Sequence, residues 1–204
     1  MIVRLPRFAP GQTIGLLGGS FNPPHEGHRL ISELALRRLR LDRLWWLVTP
    51  GNPLKPSAGL AEMRARIAAA RKLTRDPRIA VTGFEAEIGA RYTYETIVWL
   101  KRRAPRAHFV WIMGADNLSQ FHLWRHWREI ADLVPILVVD RPGSTLRALA
   151  SRAGVVLARH RRPESQAALF ARLRPPAFMF LHGPRSSLSS TALRQAAFSS
   201  RRPS

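Results

Sequence analysis

The chain predicts an α/β fold, a Rossmann-like doubly wound parallel sheet with helices on both faces. Two observations carry this. Short apolar runs alternate with segments of helical apolar spacing along the 204 residues, and connections long enough to hold a helix call for parallel pairing. The turns richest in Gly, His and Asp also follow the apolar runs, at the strand ends where open parallel sheets place their ligands. One domain over residues 1–204 suits the length, with 1–11 and 199–204 as peripheral tails.

Each element has its own local signal. Thr13–Leu17 is an apolar run and reads as a strand. His28–Arg40 is helical, with Leu30, Ile31, Leu34 and Ala35 at helical spacing. Arg43–Val48 is a second strand, and a loop of Gly, Asn and Pro runs from it to Leu60. Ala61–Leu73 is helical and Ile79–Thr82 a short strand, while Ala86–Gly89 carries no functional motif. Thr93–Arg103 is a helix with Trp99 and Leu100 on its apolar side. His108–Met113 is a strand ending at Gly114-Ala115-Asp116, and Leu123–Leu133 a Trp-rich helix. Ile136–Asp140 is a strand closed by Arg141-Pro142-Gly143. Leu146–Arg152 and Ser165–Arg172 read as helices with Val155-Val156-Leu157 between them. Ala177–Leu181 is a strand and Ser189–Phe198 the last helix. The span Thr145–Pro176 looks like scaffold.

Composition narrows the function classes. A hydrophobic fraction of 46% supports a core. There is no cysteine, which excludes disulfides and thiolate metal sites. No apolar run approaches membrane-span length and no secretory h-region opens the chain, so the expected location is cytoplasmic, with no membrane partner. The formal charge is +20, which suits nucleic acid, anionic surfaces or polyanionic small substrates. Its only lysines are Lys55, Lys72 and Lys101, and clusters such as Arg37, Arg38 and Arg40 read as solvated faces. No helix-turn-helix, aromatic RNA-binding or zinc-finger pattern accompanies them, so a nucleic-acid partner is not expected. Homo-oligomerisation stays open.

The richest segment is Gly18-Gly19-Ser20-Phe21-Asn22-Pro23-Pro24-His25-Glu26-Gly27-His28. Strand, Gly-rich turn and helix start make a phosphate site: glycines allow close backbone approach, and a helix start offers unpaired N–H groups and the positive end of a dipole. His25 and His28, three apart on an opening helix, share a face and add donors for a phosphoryl group. A surface turn or a metal-binding His pair is the structural alternative for H-x-G-H alone. A second constellation is Leu188-Ser189-Ser190-Thr191-Ala192-Leu193-Arg194. Its hydroxyls can merely cap a helix, or they can hold phosphate oxygens while Arg194 supplies a two-pronged guanidinium.

Together these segments resemble the H-x-G-H nucleotidyltransferase family, whose signatures are G-G-(S/T)-F-(N/D)-P-x-H-x-G-H and (I/L)-S-S-T-x-(I/L)-R. Further segments resemble its bacterial nicotinate-mononucleotide adenylyltransferases: Pro50-Gly51-Asn52-Pro53-Leu54-Lys55, Tyr92-Thr93-Tyr94-Glu95-Thr96, Trp111-Ile112-Met113-Gly114-Ala115-Asp116, Trp124-Arg125-His126-Trp127 and Arg141-Pro142-Gly143. The resemblance spans Ile14 to Arg194. Taken singly, Asn52-Pro53 reads as a turn, Thr93 as an N-cap, Trp124 as core and Asp116 as a cap.

The resemblance implies adenylyl transfer from ATP to nicotinate mononucleotide, giving nicotinate adenine dinucleotide and pyrophosphate in NAD biosynthesis. It implies catalytic roles for His25, His28 and Arg194, with His28 nearest the reacting centre. Gly18, Gly19, Ser20, Phe21, Gly114 and Asp116 would bind ATP, Asp116 through a ribose hydroxyl, and Leu188, Ser189, Ser190 and Thr191 would hold the triphosphate. Asn52, Lys55, Thr93, Tyr94, Trp124 and Arg141 would bind the mononucleotide. Trp124 would stack on the pyridine ring, and backbone N–H groups near Thr93 and Trp124 would receive the carboxylate. Mg²⁺ would arrive with ATP, with no protein metal site. Nicotinamide mononucleotide or phosphopantetheine is the alternative acceptor, and a basic RNA-binding protein the alternative of another class.

Overall fold

The computed structural model describes residues 3–51, 60–140 and 145–183. Among them six strands form one parallel sheet: β1 (Thr13–Gly19), β2 (Arg43–Val48), β3 (Ile79–Thr82), β4 (His108–Gly114), β5 (Ile136–Val139) and β6 (Phe178–Leu181). The strand order is β3-β2-β1-β4-β5-β6. Every neighbouring pair is parallel, with Leu16 opposite Trp45 on one side and Trp111 on the other. This is the doubly wound sheet expected.

The helices are α1 (Glu26–Arg38), α2 (Met63–Leu73), α3 (Phe84–Glu87), α4 (Thr93–Arg103), α5 (Ala115–Leu118), α6 (Trp127–Leu133), α7 (Thr145–Leu149) and α8 (Arg152–Ala158), with 3-10 turns at Phe121–Leu123 and Glu164–Arg172. Alternation along the strands feeds two cores. Trp45, Leu47, Trp111 and Met113 point to the face covered by α3 to α8. Leu44, Trp46, Val48 and Ile112 point to the face covered by α1, α2 and the Glu164–Arg172 turn. Both faces are buried, so the strands read as continuous apolar runs rather than alternating ones. The N-terminal stretch, expected as a peripheral tail, lays Val3, Leu5 and Phe8 against the first core, with Phe8 edge-on to Trp45 at 5.8 Å. No described helix is long and apolar enough to cross a membrane.

Several elements differ from expectation. The Trp-rich segment is not one helix over Leu123–Leu133. Trp124 is extended and His126 takes a left-handed conformation, φ 56°, just before α6 begins. Val155, Val156 and Leu157 are helical, within α8, whose cap Ser151 accepts from the Gly154 N–H. The helix after the glycine turn starts at Glu26 rather than His28. The helix expected over Ser189–Phe198 lies outside the described residues.

The glycine at the end of β1 is a packing requirement. A Cβ on Gly18 would sit 2.6 Å from the Trp111 ring, and Trp111 is held in the sheet between β1 and β5. Gly18→Ala is expected to destabilise the protein by about 1–3 kcal/mol, the usual cost of overpacking. Urea denaturation measures it, and a midpoint equal to that of the parent would show that the ring yields freely.

Candidate active site

β1 and β4 lie side by side, yet β1 leads towards β2 and β3 while β4 leads towards β5 and β6. The chains therefore leave the two strands in opposite directions and a crevice opens beyond their C-terminal ends. Gly18 and Gly19 end β1 on one side of it; Gly114 ends β4 on the other, with Asp116 in the short α5. The glycine turn and the Gly114–Asp116 segment thus meet at the sheet's reversal point.

The two imidazoles are built into the start of α1. His25 is the N-cap and is buried. Its Nδ1 accepts from the Gly27 N–H at 3.1 Å, and the His28 Nδ1 accepts from the His25 N–H at 3.2 Å. With both Nδ1 atoms serving as acceptors, each neutral ring carries its proton on Nε2. The rings lie 3.9 Å apart, centroid to centroid. The backbone itself therefore fixes the tautomer of two Nε2–H donors, an arrangement suited to phosphoryl oxygens.

A packed support, of which only Phe21 belongs to a motif, lies behind these rings. Phe21 is fully buried, with φ 46°, in the left-handed region that a non-glycine residue seldom occupies. Its ring stacks on Trp46 at 4.9 Å and lies 4.6 Å from His28. The Trp46 indole N–H donates to Ser32 Oγ at 2.8 Å, and the Ser32 hydroxyl donates to the His28 carbonyl at 2.8 Å. The sequence shows Ser32 and Trp46 only as helix and strand residues; their part here depends on packing.

The Tyr92–Thr96 and Trp124–Trp127 segments also come together. Tyr92 caps α4, and the Glu95 carboxylate accepts from the Arg91 and Tyr92 N–H groups at 2.8 and 3.2 Å. Thr93 is the first helical residue rather than the cap, so the Thr93 and Tyr94 N–H groups precede the first intrahelical bond. The Tyr94 ring packs 4.7 Å from His126, and the Arg125 guanidinium lies 5.0 Å over the Tyr92 ring. Trp124 is half-buried, edge-on to Phe121 at 5.3 Å and to Trp111 at 6.1 Å. Its own backbone N–H donates to the Phe121 carbonyl at 3.0 Å and is spent within the turn. On this side the N–H groups suited to a carboxylate are those of the first turn of α4. Asn52, Lys55, Arg141, Leu188, Ser189, Ser190, Thr191 and Arg194 lie outside the described residues.

Beneath α4 sits a carboxyl that no sequence pattern singles out. Glu85, in α3, is 5% exposed and accepts from the Thr96 hydroxyl at 2.8 Å. Burial raises its pKa from 4.5 to about 6, against the opposing pull of the Thr96 hydroxyl. The folded protein thus holds this proton more tightly than the unfolded chain. The cost of the charge is absent below pH 4.5, grows as pH rises through 6, and reaches about 2 kcal/mol above that. Glu85→Gln keeps an oxygen for Thr96 and carries no charge. It is expected to exceed the parent in stability by about 1–2 kcal/mol at about pH 8, the gap closing by about pH 4.5. Urea melts at the two pH values test this, and a gap independent of pH would remove the charge from the account.

The likenesses to known proteins run through the same segments. The cytidylyltransferase-like family matches residues 16–196. A Methylorubrum extorquens protein named "Probable nicotinate-nucleotide adenylyltransferase" is 61% identical over 181 residues, 89% of this chain and 98% of that one. A protein of the same name from Brucella suis biovar 1 is 55% identical over 183 residues, 90% of this chain and 94% of that one. The Plasmodium falciparum nicotinic acid mononucleotide adenylyltransferase complexed with NaAD superposes with a TM-score of 0.64 over 90% of this chain and 83% of its own, at 16% identity, a likeness of fold. Matches of this identity and extent establish that the chain belongs to the cytidylyltransferase-like family, on its nicotinate-nucleotide adenylyltransferase branch.

Proposed function

We infer that the chain transfers the adenylyl group of ATP to nicotinate mononucleotide, forming nicotinate adenine dinucleotide and pyrophosphate, a step of NAD biosynthesis. The observation that carries this is the pair of imidazoles at the sheet's reversal point, each with its proton held on Nε2 by a backbone N–H at Nδ1. A phosphate oxygen of the mononucleotide attacks the α-phosphorus in line. A P–O bond forms there as the bond to the oxygen bridging to the β-phosphate breaks, and pyrophosphate leaves with that electron pair. The attacking phosphate is already anionic near neutral pH, so no strong base is required. Positioning and charge stabilisation carry the rate.

In this reading the Nε2–H groups of His25 and His28 donate to phosphoryl oxygens, and the N–H groups of the Gly18–Phe21 turn and the start of α1 add to them. Arg194 and the Leu188–Thr191 segment hold the departing pyrophosphate. Asp116 accepts from a ribose hydroxyl and Gly114 lets the nucleotide approach the backbone. Thr93 and Tyr94 receive the nicotinate carboxylate at the start of α4, Trp124 faces the pyridine ring, and Asn52, Lys55 and Arg141 lie along the mononucleotide. Mg²⁺ travels on the ATP phosphates. Among the described residues no three His, Asp or Glu side chains gather as a cage for it, and the imidazole and amide donors suit phosphate oxygens rather than a hard cation. The proposal places the activity in the cytoplasm, with ATP and nicotinate mononucleotide as partners.

The direct test is pyrophosphate release with ATP, Mg²⁺ and a panel of nicotinate mononucleotide, nicotinamide mononucleotide and phosphopantetheine. Release only with the last would overturn the acceptor assignment. His28→Ala is expected to slow single-turnover transfer by about 10²–10³-fold, as when one transition-state donor is lost, with a smaller effect on ATP affinity. A folded variant that turns over at the parent rate would exclude His28 from the reacting centre.

Acceptor choice follows from donor geometry. Two N–H groups suit a carboxylate, which accepts at both oxygens; an amide turns an NH₂ towards one of them. The mispaired donor costs about 1–3 kcal/mol, so kcat/KM should favour nicotinate over nicotinamide mononucleotide by about 5–150-fold. Stacking on Trp124 does not separate the two rings. Equal kcat/KM values at matched ATP and Mg²⁺ would reject this pocket.

A further inference from the structure

Arg66 lies in none of the motifs. It stands on α2, only 3% exposed, and its guanidinium spans three separate pieces of backbone. Nε donates to the Ala61 carbonyl at 2.9 Å, and Nη1 to the Ser20 carbonyl at 2.7 Å and the Thr49 carbonyl at 2.8 Å. Ser20 is in the turn after β1, Thr49 follows β2, and Ala61 precedes α2. Thr49 and Ala61 flank, in the sequence, the segment that carries Asn52 and Lys55. Two backbone contacts run alongside: the Thr49 N–H donates to the Gly19 carbonyl at 3.0 Å, and the Ala61 N–H to Asn22 Oδ1 at 3.4 Å.

A buried guanidinium is expensive unless its donors are satisfied. Among the described residues Arg66 forms no ion pair, and burial lowers its pKa. Three carbonyl dipoles take the place of a carboxylate. An apolar residue would fill the same space without that cost, so packing alone gives no reason for a cation here. The planar fork reaches three carbonyls at fixed angles, which a lysine ammonium, a single compact head, does not reproduce.

We propose that Arg66 is a positioning residue that locks the phosphate-binding turn after β1 to both ends of the acceptor loop, holding the two substrates in register for in-line transfer. The proposal rests on the adenylyl-transfer reading. Its mechanism is the steep dependence of such reactions on alignment: a displacement of about 1 Å can cost up to about 10²-fold in rate.

The test compares Arg66→Lys and Arg66→Gln with the parent at a temperature where thermal melts show the variants folded; the lysine variant serves if the glutamine variant fails to fold. The expected result is a kcat lower by about 10–100-fold, with the KM for ATP within about threefold of the parent. Amide hydrogen exchange is the second arm, independent of turnover. Exchange should quicken together in residues 18–22, 47–51 and 60–64, while β5 and β6 keep their protection. A folded Arg66→Lys with kcat within about twofold of the parent, or exchange that rises in only one of the three segments or equally throughout the protein, would overturn the proposal. A parent that releases no pyrophosphate from ATP and nicotinate mononucleotide would instead defeat the functional reading, and the exchange arm would still decide whether Arg66 joins the three segments.

Discussion

Everything at the site depends on one topological constraint: β1 and β4 are hydrogen-bonded neighbours whose chains leave the sheet in opposite directions. Crossovers from parallel strands keep one hand, so reversing the winding sends successive helices to opposite faces and leaves the strand ends at the seam uncovered. α1 and α2 go to one face, α4 to α6 to the other. Two glycines then end β1, and one ends β4. The seam is thereby the part of the sheet rim where backbone, rather than side chain, can approach a ligand.

The β1 end of that seam derives its directionality from a helix start. A Ser or Asp cap would satisfy the early N–H groups of α1 just as well. A histidine cap does so through Nδ1 and in the same act fixes a donor on Nε2. Because His28 accepts from His25 in turn, neither ring can change tautomer without losing a backbone bond. Phe21, Trp46 and Ser32 then hold the second ring from behind. Local capping and long-range packing therefore set the same atom in place.

Much of the fold was legible because its strands are buried on both faces and carry continuous apolar runs. The spans expected for β2, β3 and α4 coincide with those found. β1 runs two residues further, since Gly18 and Gly19 still pair with Leu47 and Val48; glycine hides a strand whose pairing is set by its neighbours. The Trp-rich segment misled because its aromatic spacing fits a helix, while His126 turns left-handed and sets its ring against Tyr94. Val155 and Val156, unassigned between two expected helices, lie inside α8. At the site, the motif residues on β1, α1, α4 and β4 were readable as letters. Glu85, Arg66, Ser32 and Trp46 were not, because what defines them is the carbonyl, hydroxyl or ring brought up from elsewhere in the chain.

Two of those residues share a logic. Glu85 and Arg66 are buried charges of opposite sign, one under the start of α4 and one under the turn after β1. Each is bonded to neutral groups, a hydroxyl or carbonyls, and not to the other. Among the described residues neither has an ion-pair partner, so each is a weak choice for stability alone. Arg66 ties three backbone carbonyls together, whereas Glu85 holds the side chain of Thr96 in the first turns of α4. At the ends of β1 and β2 the Ser20 and Thr49 carbonyls lie beyond the sheet pairing, and the Arg66 guanidinium takes the place of a further strand. Carbonyls held in this way fix the turn after β1, and with it the approach to the start of α1, at the cost of a buried charge.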